Sequence, residues 1–121
     1  MVNQRGFTLI ELISVLVIMS VVASVTFQRF YLISTNAEAR ALDSARGELN
    51  IRETLTWTQI KLSNAGWIDD ENVFQELDKF LGNEYKWQPG PAITGGTLSF
   101  GEYSVIFSRN ASTSTSAGSW Q

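Results

Sequence analysis

The sequence predicts an α+β protein in which one long N-terminal helix carries a small domain made of a short helix and a short antiparallel sheet. Three observations support this fold class. An apolar run, 7–27, contains a single charged residue, Glu11. Helical periodicity then continues, without a proline, to about Ser63. Finally, apolar residues alternate with others over 97–108, as is typical of half-buried strands.

The apolar run is long enough to cross a membrane, because as a helix it would reach roughly 32 Å at 1.5 Å per residue. A secretory signal peptide has a shorter apolar segment, carries no acid and places a small residue after that segment. Here Gly6 precedes the run. A plain membrane anchor would leave Glu11 unexplained, since a carboxylate in hydrocarbon is costly. The pattern therefore predicts a partner for Glu11.

We expect the helix to run from about Thr8 to Ser63 and to end at Asn64-Ala65-Gly66, where Gly66 can adopt the left-handed conformation. Opposite charges spaced three and four apart indicate an exposed face in its second half. The other face packs either on the sheet of its own domain or on helices of other subunits. The residues that recur on this face are Ala37, Ala41, Leu42, Ala45, Leu49, Thr56 and Ile60.

A second, shorter helix is predicted after Trp67-Ile68, with Asp69 or Asp70 as its N-cap and Gly82-Asn83 as its end. Its expected apolar face consists of Val73, Phe74, Leu77, Phe80 and Leu81. The consecutive acids Asp69, Asp70 and Glu71 could also suggest calcium, whose ligands are oxygens. Capping explains them better, since the ligand spacing of a known calcium loop is absent, and we predict no metal site.

Two strands, 97–100 and 103–108, are predicted to form a hairpin through Gly101-Glu102, with glycine at the first position of a type II′ turn. The segment 85–91 reads as a turn-rich connector, and Gly95-Gly96 as another turn. The Ser/Thr-rich tail 110–121 is predicted to bury little surface and to be mobile, with Trp120 as a small anchor.

Composition excludes several classes of function. The chain has 12 acids, 9 bases and a net charge of −3, without a basic patch in its soluble part, so we predict no nucleic-acid binding. It contains no cysteine and no histidine, which removes a disulfide, the commonest zinc ligand and the usual general base. The acidic pairs Glu48 with Glu53 and Asp69 with Asp70 are best explained as solvated helix surface. We therefore predict no enzyme, no catalytic residue and no cofactor.

The residues Gly6-Phe7-Thr8-Leu9-Ile10-Glu11, after the short leader 1–6, resemble the class III signal of type IV pilins and of the pseudopilins of type II secretion. The resemblance implies a pilin-like fold. It also implies that a prepilin peptidase cuts between Gly6 and Phe7, and that the new amine of Phe7 is methylated. Glu11 would then meet the Phe7 amine of a neighbouring subunit during filament assembly, since an acid and an amine can neutralise each other in a medium of low dielectric constant.

The same resemblance implies three regions: the leader 1–6, the transmembrane and assembly half of the helix 7–28, and a soluble domain 29–121. The expected location is the bacterial inner membrane, with one span and a periplasmic domain. Expected partners are prepilin peptidase, other pilin-like subunits of the same or another kind, an inner-membrane assembly platform and the lipid bilayer. Some pseudopilins carry calcium near their C-terminal region, but this chain has no acid after Glu102 to match such a site.

The predicted function is that of a structural subunit in a pilin-like filament. Many major pilins have a glycine and a proline in the first helix where this chain has Ser20 and Gln28. That difference favours a type II secretion pseudopilus subunit or a minor pilin-like subunit acting in protein secretion. A type IV pilus subunit for adhesion, motility or DNA uptake is the alternative. A monomeric membrane-anchored binding protein would need neither the Gly6-Phe7 junction nor Glu11.

Overall fold

A computed structural model describes residues 6–121, and it confirms the predicted α+β, pilin-like fold class. Five residues of the predicted leader, 1–5, lie outside the described part of the chain. The structure has two helices and one antiparallel sheet with the strand order β1-β2-β3-β4. The elements are α1 (Leu9–Leu62), α2 (Asp70–Glu76), β1 (Tyr85–Trp87), β2 (Gly95–Phe100), β3 (Tyr103–Asn110) and β4 (Ser119–Trp120).

The chain divides into two compact units between Asn36 and Ala37. The first unit contains the beginning of α1, whose apolar side chains are exposed. The second contains the rest of α1 together with α2 and the sheet. Each unit is described separately below.

The second half of α1 has the exposed face of paired charges and the C-terminal end that the sequence predicts. Arg52 Nε donates to Glu48 Oε1 over 2.8 Å, and Arg46 Nη2 donates to Asp43 Oδ1 over 3.1 Å. The helix ends at Leu62, and Gly66 has a φ of +68°, in the left-handed region that glycine adopts without a steric penalty. The sequence pattern was therefore sufficient to place this helix and its end.

One hydrophobic core joins α1, α2 and the sheet in the second unit. Of the predicted helix face, Ala45 is buried and Ala37 is exposed, so the buried stripe begins later along the helix than expected. Phe80, expected on the apolar face of α2, is 66% exposed. The buried apolar residues of this core are Leu42, Ala45, Leu49, Leu77, Leu98, Phe107 and Trp120.

The hairpin of β2 and β3 forms as predicted. Phe100 pairs with Tyr103 across the turn, and Leu98 pairs with Val105. Gly101 has a φ of +62°, and no non-glycine residue among 6–121 has a positive φ, which agrees with the predicted type II′ turn. Both strands place an apolar face on the core.

The sheet is larger than predicted. Residues 85–87, expected to be a connector, form β1 and pair with β2 through Tyr85↔Phe100 and Trp87↔Leu98. Gly95 and Gly96, expected in a turn, begin β2. Both glycines lie where a Cβ atom would clash with backbone, which at Gly95 means the Phe107 carbonyl oxygen at 2.1 Å. These glycines therefore permit close strand packing.

Helix α2 is shorter than predicted, because it ends at Glu76 and not at Gly82. Its N-cap is Asp69, one of the two predicted candidates, with a carboxylate that accepts from Asn72 N over 2.8 Å. At the other end, Lys79 Nζ donates to the carbonyls of Phe74 and Leu77, and Asp78 Oδ1 accepts from Phe80 N. These side-chain bonds satisfy backbone groups that another helical turn would have used.

The expectation that the tail buries little surface is wrong. Ser112 is 4% exposed and Trp120 is 2% exposed. Trp120 lies in β4, where it pairs with Arg109 of β3, and its ring centroid is 5.7 Å from that of Trp87. The predicted role of Trp120 as an anchor is confirmed, and this one aromatic residue brings the end of the segment into the core.

Candidate processing and assembly site

The segment 6–11, in which sequence reasoning placed processing and assembly, forms the entry into α1. Gly6 and Phe7 are exposed and precede the helix, and the side chain of Phe7 is 88% exposed. Thr8 is the residue before the first helical position, Leu9. An exposed, non-helical Gly6-Phe7 peptide bond is accessible from solvent on this segment.

Thr8 and Glu11 form a reciprocal capping box at the start of α1. Thr8 N donates to Glu11 Oε2 over 2.9 Å, and Glu11 N donates to Thr8 Oγ1 over 3.3 Å. A threonine followed three residues later by glutamate is the usual sequence of this motif. The carboxylate also lies in the first turn, where the positive end of the helix dipole favours it.

The capping box uses one carboxylate oxygen of Glu11. Within residues 6–121, Oε2 accepts from Thr8 and no donor is bonded to Oε1. Glu11 is the only charged residue in the apolar run 7–27. The structure thus gives this acid a local role at the helix start, and among residues 6–121 only one of its two oxygens accepts a bond.

The rest of the run is suited to a hydrocarbon environment. Helix α1 contains a stretch long and apolar enough to cross a membrane, judged by length and composition, and none of that stretch is buried within the chain. Three of its hydroxyl groups bond within the helix, because Ser14 Oγ donates to Ile10 O over 2.7 Å, Ser20 Oγ donates to Val17 O over 2.7 Å and Thr26 Oγ1 donates to Val22 O over 2.8 Å. Such bonds remove the cost of placing a hydroxyl in lipid.

A second cluster of charges, which sequence reasoning missed, lies inside the folded unit. Arg109 of β3 donates from Nε to Glu53 Oε2 over 3.1 Å and from Nη1 to Asp70 Oδ2 over 2.7 Å. The side chains of Arg109 and Glu53 are fully buried. The interpretation of Glu53 as solvated helix surface is therefore wrong, because its carboxylate is the counter-ion of a buried guanidinium.

This cluster also holds the C-terminal segment. Trp120 Nε1 donates to Glu53 Oε2 over 3.0 Å, and both the amide and the hydroxyl of Ser112 donate to Asp70 Oδ1 over 2.7 Å. Burial alone would raise the pKa of the Asp70 carboxyl, but hydrogen bonds from Arg109 and Ser112 outweigh burial and hold that pKa below its ordinary value. Asp70 is therefore held in its charged form.

Periodicity carried a signal for both missed residues. Arg109 lies two residues after Phe107 on the inward face of β3, and Glu53 lies four residues after Leu49 on the inward face of α1. Two charges of opposite sign at core positions of different elements indicate a buried ion pair. Hydrogen bonds satisfy every buried side-chain nitrogen and oxygen among residues 6–121, which is the expected state of such a cluster.

Neither cluster has the composition of a metal centre. Within the part of the chain that the structure describes, no group of three or more His, Cys, Asp or Glu side chains is placed to hold a metal ion. The buried cluster presents its carboxylates to Arg109, which occupies the position that a cation would take.

The geometry thus defines an α+β chain whose first helix is long and apolar enough to cross a membrane and follows an exposed Gly6-Phe7 junction. Residues 1–27 match the family model described as the prokaryotic N-terminal methylation motif, the class III signal of type IV pilins and pseudopilins. The chain carries that signal on a pilin-like fold, which supports a pilin-like or pseudopilin structural subunit. The chain matched no curated protein and no solved structure.

Proposed function

We propose that this chain is a structural subunit of a type II secretion pseudopilus, or a minor pilin-like subunit of such a filament, acting in protein secretion. Prepilin peptidase would cut after Gly6 and Phe7 would receive the methyl group. The apolar half of α1 would hold the subunit in the inner membrane, with the folded unit in the periplasm. An inner-membrane assembly platform would then pass the subunit into a filament with other pilin-like subunits.

The observation that carries this proposal is the state of Glu11. Its Oε2 caps its own helix, while Oε1 has no donor within residues 6–121. A charged carboxylate in hydrocarbon is strongly disfavoured. A methylated amine of Phe7 from a neighbouring subunit would neutralise it, and a wrong stagger between helices would leave both groups unpaired.

The choice of a pseudopilus over a pilus rests on the uninterrupted helix. Helix α1 runs from Leu9 to Leu62 through Ser20 and Gln28, without a glycine or proline at either position. A glycine or a proline there would weaken the backbone hydrogen bonds of the helix. We infer that this helix stays continuous in the filament. A type IV pilus subunit is the alternative. Deleting the gene should abolish protein secretion if the chain is a pseudopilus subunit, and should abolish surface pili if it is a pilus subunit.

The first experiment measures the intact mass and the N-terminal sequence of the membrane-bound chain, from cells with and without prepilin peptidase. We expect a chain that begins at methylated Phe7 only where the peptidase is present. A chain that begins at Met1 in both strains would overturn the proposal.

The second experiment separates the two roles of Glu11. Glu11→Gln keeps an acceptor for Thr8 N–H but loses the charge, whereas Thr8→Ala loses the hydroxyl of the capping box and keeps the charge. If Glu11 pairs with an amine, Glu11→Gln is cleaved and inserted but excluded from filaments, and Thr8→Ala still assembles. Normal assembly of Glu11→Gln would show that capping is its only role and would contradict the pairing.

A further inference from the structure

The second half of α1 carries apolar side chains on the side that faces away from its own core. Leu49 and Glu53 point into the folded unit and are fully buried. Residues two positions apart on a helix lie about 200° apart around its axis, so Ile51 and Leu55 point away from that core. Ile51 is 66% exposed and Leu55 is 56% exposed. A surface helix normally has a polar outer face, whereas this one is apolar there.

This outer face continues as a line along the helix. Ile51, Leu55, Thr58 and Leu62 follow one another at intervals of four, three and four residues, and Leu62 is 82% exposed. The alternation of three and four is the pattern by which one helix packs along another in a coiled coil. We call these four residues the outer seam. At its start lies Glu48, whose carboxylate accepts from an arginine of the same helix.

The outer seam can be buried without leaving a polar group unsatisfied. Its one hydroxyl, Thr58 Oγ1, donates to Thr54 O over 2.7 Å, and the neighbouring Thr54 Oγ1 donates to Asn50 O over 3.0 Å. None of the four seam residues is charged. A partner with an uncharged, apolar helix face therefore fits this surface, since no charge has to be removed from water.

We infer that the outer seam pairs with the outer seam of a second copy of this chain, with the two helices parallel and at the same height in one membrane. The seam is complementary to itself in this arrangement, because Ile51, Leu55 and Leu62 each meet the same apolar residue of the second copy. The sheet and α2 pack on the opposite side of each helix and leave the seam accessible.

The proposed membrane anchor determines the orientation of the pair. The apolar run 7–27 precedes the outer seam in the chain, so two copies anchored in one membrane present their second halves of α1 in parallel. An antiparallel pair would place the two anchors at opposite ends. The inference rests on the anchor of the proposed function and concerns subunits that are still in the membrane.

The size of the seam indicates that the membrane is needed for pairing. Its four side chains bury less than the roughly 800 Å² per partner that is typical of specific complexes. Two helices anchored in the same membrane have a much higher effective concentration than two free proteins. We therefore expect the pair in membranes and not between isolated folded units in dilute solution.

Single-cysteine variants test the height of the two helices, because the chain has no cysteine of its own. The variants are produced in cells that lack the assembly platform, which keeps the subunits in the membrane. With a mild oxidant, Ile51→Cys and Leu62→Cys should each give a disulfide-linked dimer. A mixture of the two, with tags of different mass, should give no mixed dimer, because these positions lie roughly 17 Å apart along the helix, beyond the reach of a disulfide.

The matched control is Arg46→Cys. Arg46 is exposed and lies about 140° around the helix from Ile51, so it should not cross-link. Equal cross-linking of Arg46→Cys, a mixed dimer as abundant as the dimers of single variants, cross-linking only to a different protein, or no cross-link at the seam would overturn the inference. N-terminal sequencing of the same membranes tests the proposed processing at Phe7 separately, so failure of the pairing and failure of the proposed function are distinguishable.

Charge substitutions give a second, independent measurement. Leu55 is exposed, so Leu55→Glu and Leu55→Lys leave the core intact but place like charges opposite each other in the pair. Each should abolish the dimer formed by Leu62→Cys, and an equal mixture of the two should restore it as a mixed dimer. Arg46→Glu is the control and should leave the dimer unchanged. A dimer that persists with Leu55→Glu, or a mixture that restores nothing, would contradict the pairing.

Discussion

Arg109 on β3 and Glu53 on α1 form an ion pair that is fully enclosed by the folded unit. Arg109 Nε lies 3.1 Å from Glu53 Oε2, and neither side chain is exposed. The indole of Trp120 donates to the same carboxylate oxygen over 3.0 Å. One carboxylate of the long helix therefore holds both the last long strand and the C-terminal segment.

Removing one member of this pair should destabilise the folded unit strongly. We expect Glu53→Ala to lower the free energy of unfolding by about 3–5 kcal/mol, because the buried Arg109 guanidinium keeps only Asp70 as a counter-ion and the Trp120 indole loses its acceptor. The matched control is Glu48→Ala, which removes a carboxylate that is half exposed and pairs with Arg52, at a cost of about 0–1 kcal/mol.

The stability of the two variants can be measured by unfolding the full chain with denaturant in detergent, with tryptophan fluorescence as the signal. All four tryptophans lie in the second unit, so the signal reports that unit. Equal midpoints for Glu53→Ala and Glu48→Ala would contradict the assigned burial.

Acid should destabilise the same unit through Asp70. The pKa of Asp70 in the folded chain lies below its ordinary value of 3.8, because bonds from Arg109 and Ser112 outweigh the effect of burial. A carboxyl with a lowered folded-state pKa contributes stability above its unfolded pKa and loses that contribution as the pH falls through the folded pKa. Stability should therefore decline below about pH 4.

An Asp70→Asn variant tests this assignment. It should be less stable at neutral pH than the parent and should show a shallower decline in stability between about pH 5 and pH 2. The control is Asp69→Asn, since an asparagine can still cap α2. Parallel pH profiles for Asp70→Asn and the parent would show that other carboxyls cause the acid sensitivity.

Trp120 should contribute more to stability than its position near the end of the sequence suggests. Its ring is buried, and its backbone amide donates to Asn50 Oδ1 over 2.7 Å. We expect Trp120→Ala to cost about 3–5 kcal/mol, as for other large aromatic residues removed from a core. Trp57→Ala is the control, because that ring is partly exposed and its loss should cost less.

The unfolding of these two variants should be monitored by circular dichroism, because each substitution removes a tryptophan fluorophore. A Trp120→Ala variant as stable as the parent would show that the C-terminal segment is not docked in solution.

Replacing Gly95 and Gly47 with alanine should change the stability of the folded unit in opposite directions. At Gly95 a Cβ atom would lie 2.1 Å from the Phe107 carbonyl oxygen, and φ is +125°. We expect Gly95→Ala to disrupt the β2–β3 pairing and to destabilise the unit. At Gly47, within α1, a Cβ atom would meet nothing within 4 Å, so Gly47→Ala should raise stability by about 0.5–1 kcal/mol. Thermal unfolding of both variants checks the two signs, and destabilisation by Gly47→Ala would be the contrary result.

Local patterns predicted the elements whose signals lie within a few residues. The N-cap at Asp69 and the type II′ turn at Gly101 both depend on side chains or backbone close in sequence. The capping box of Thr8 and Glu11 has an equally local signal, but we did not predict it. Strand β1 gave a weaker signal, because three residues beside two prolines resemble a connector. Its pairing with Leu98 and Phe100 of β2 is a tertiary contact.

Residue spacing and hydrophobic periodicity were sufficient to predict the methylation motif at 1–27, the apolar half of α1 and the order of helix and hairpin. The tertiary structure was needed to show that Glu53 and Asp70 bind Arg109 and that the Trp120 ring packs in the core. Such contacts join residues from 39 to 67 positions apart. Hydrophobic patterning specifies which face of an element is buried, whereas packing specifies which buried groups meet.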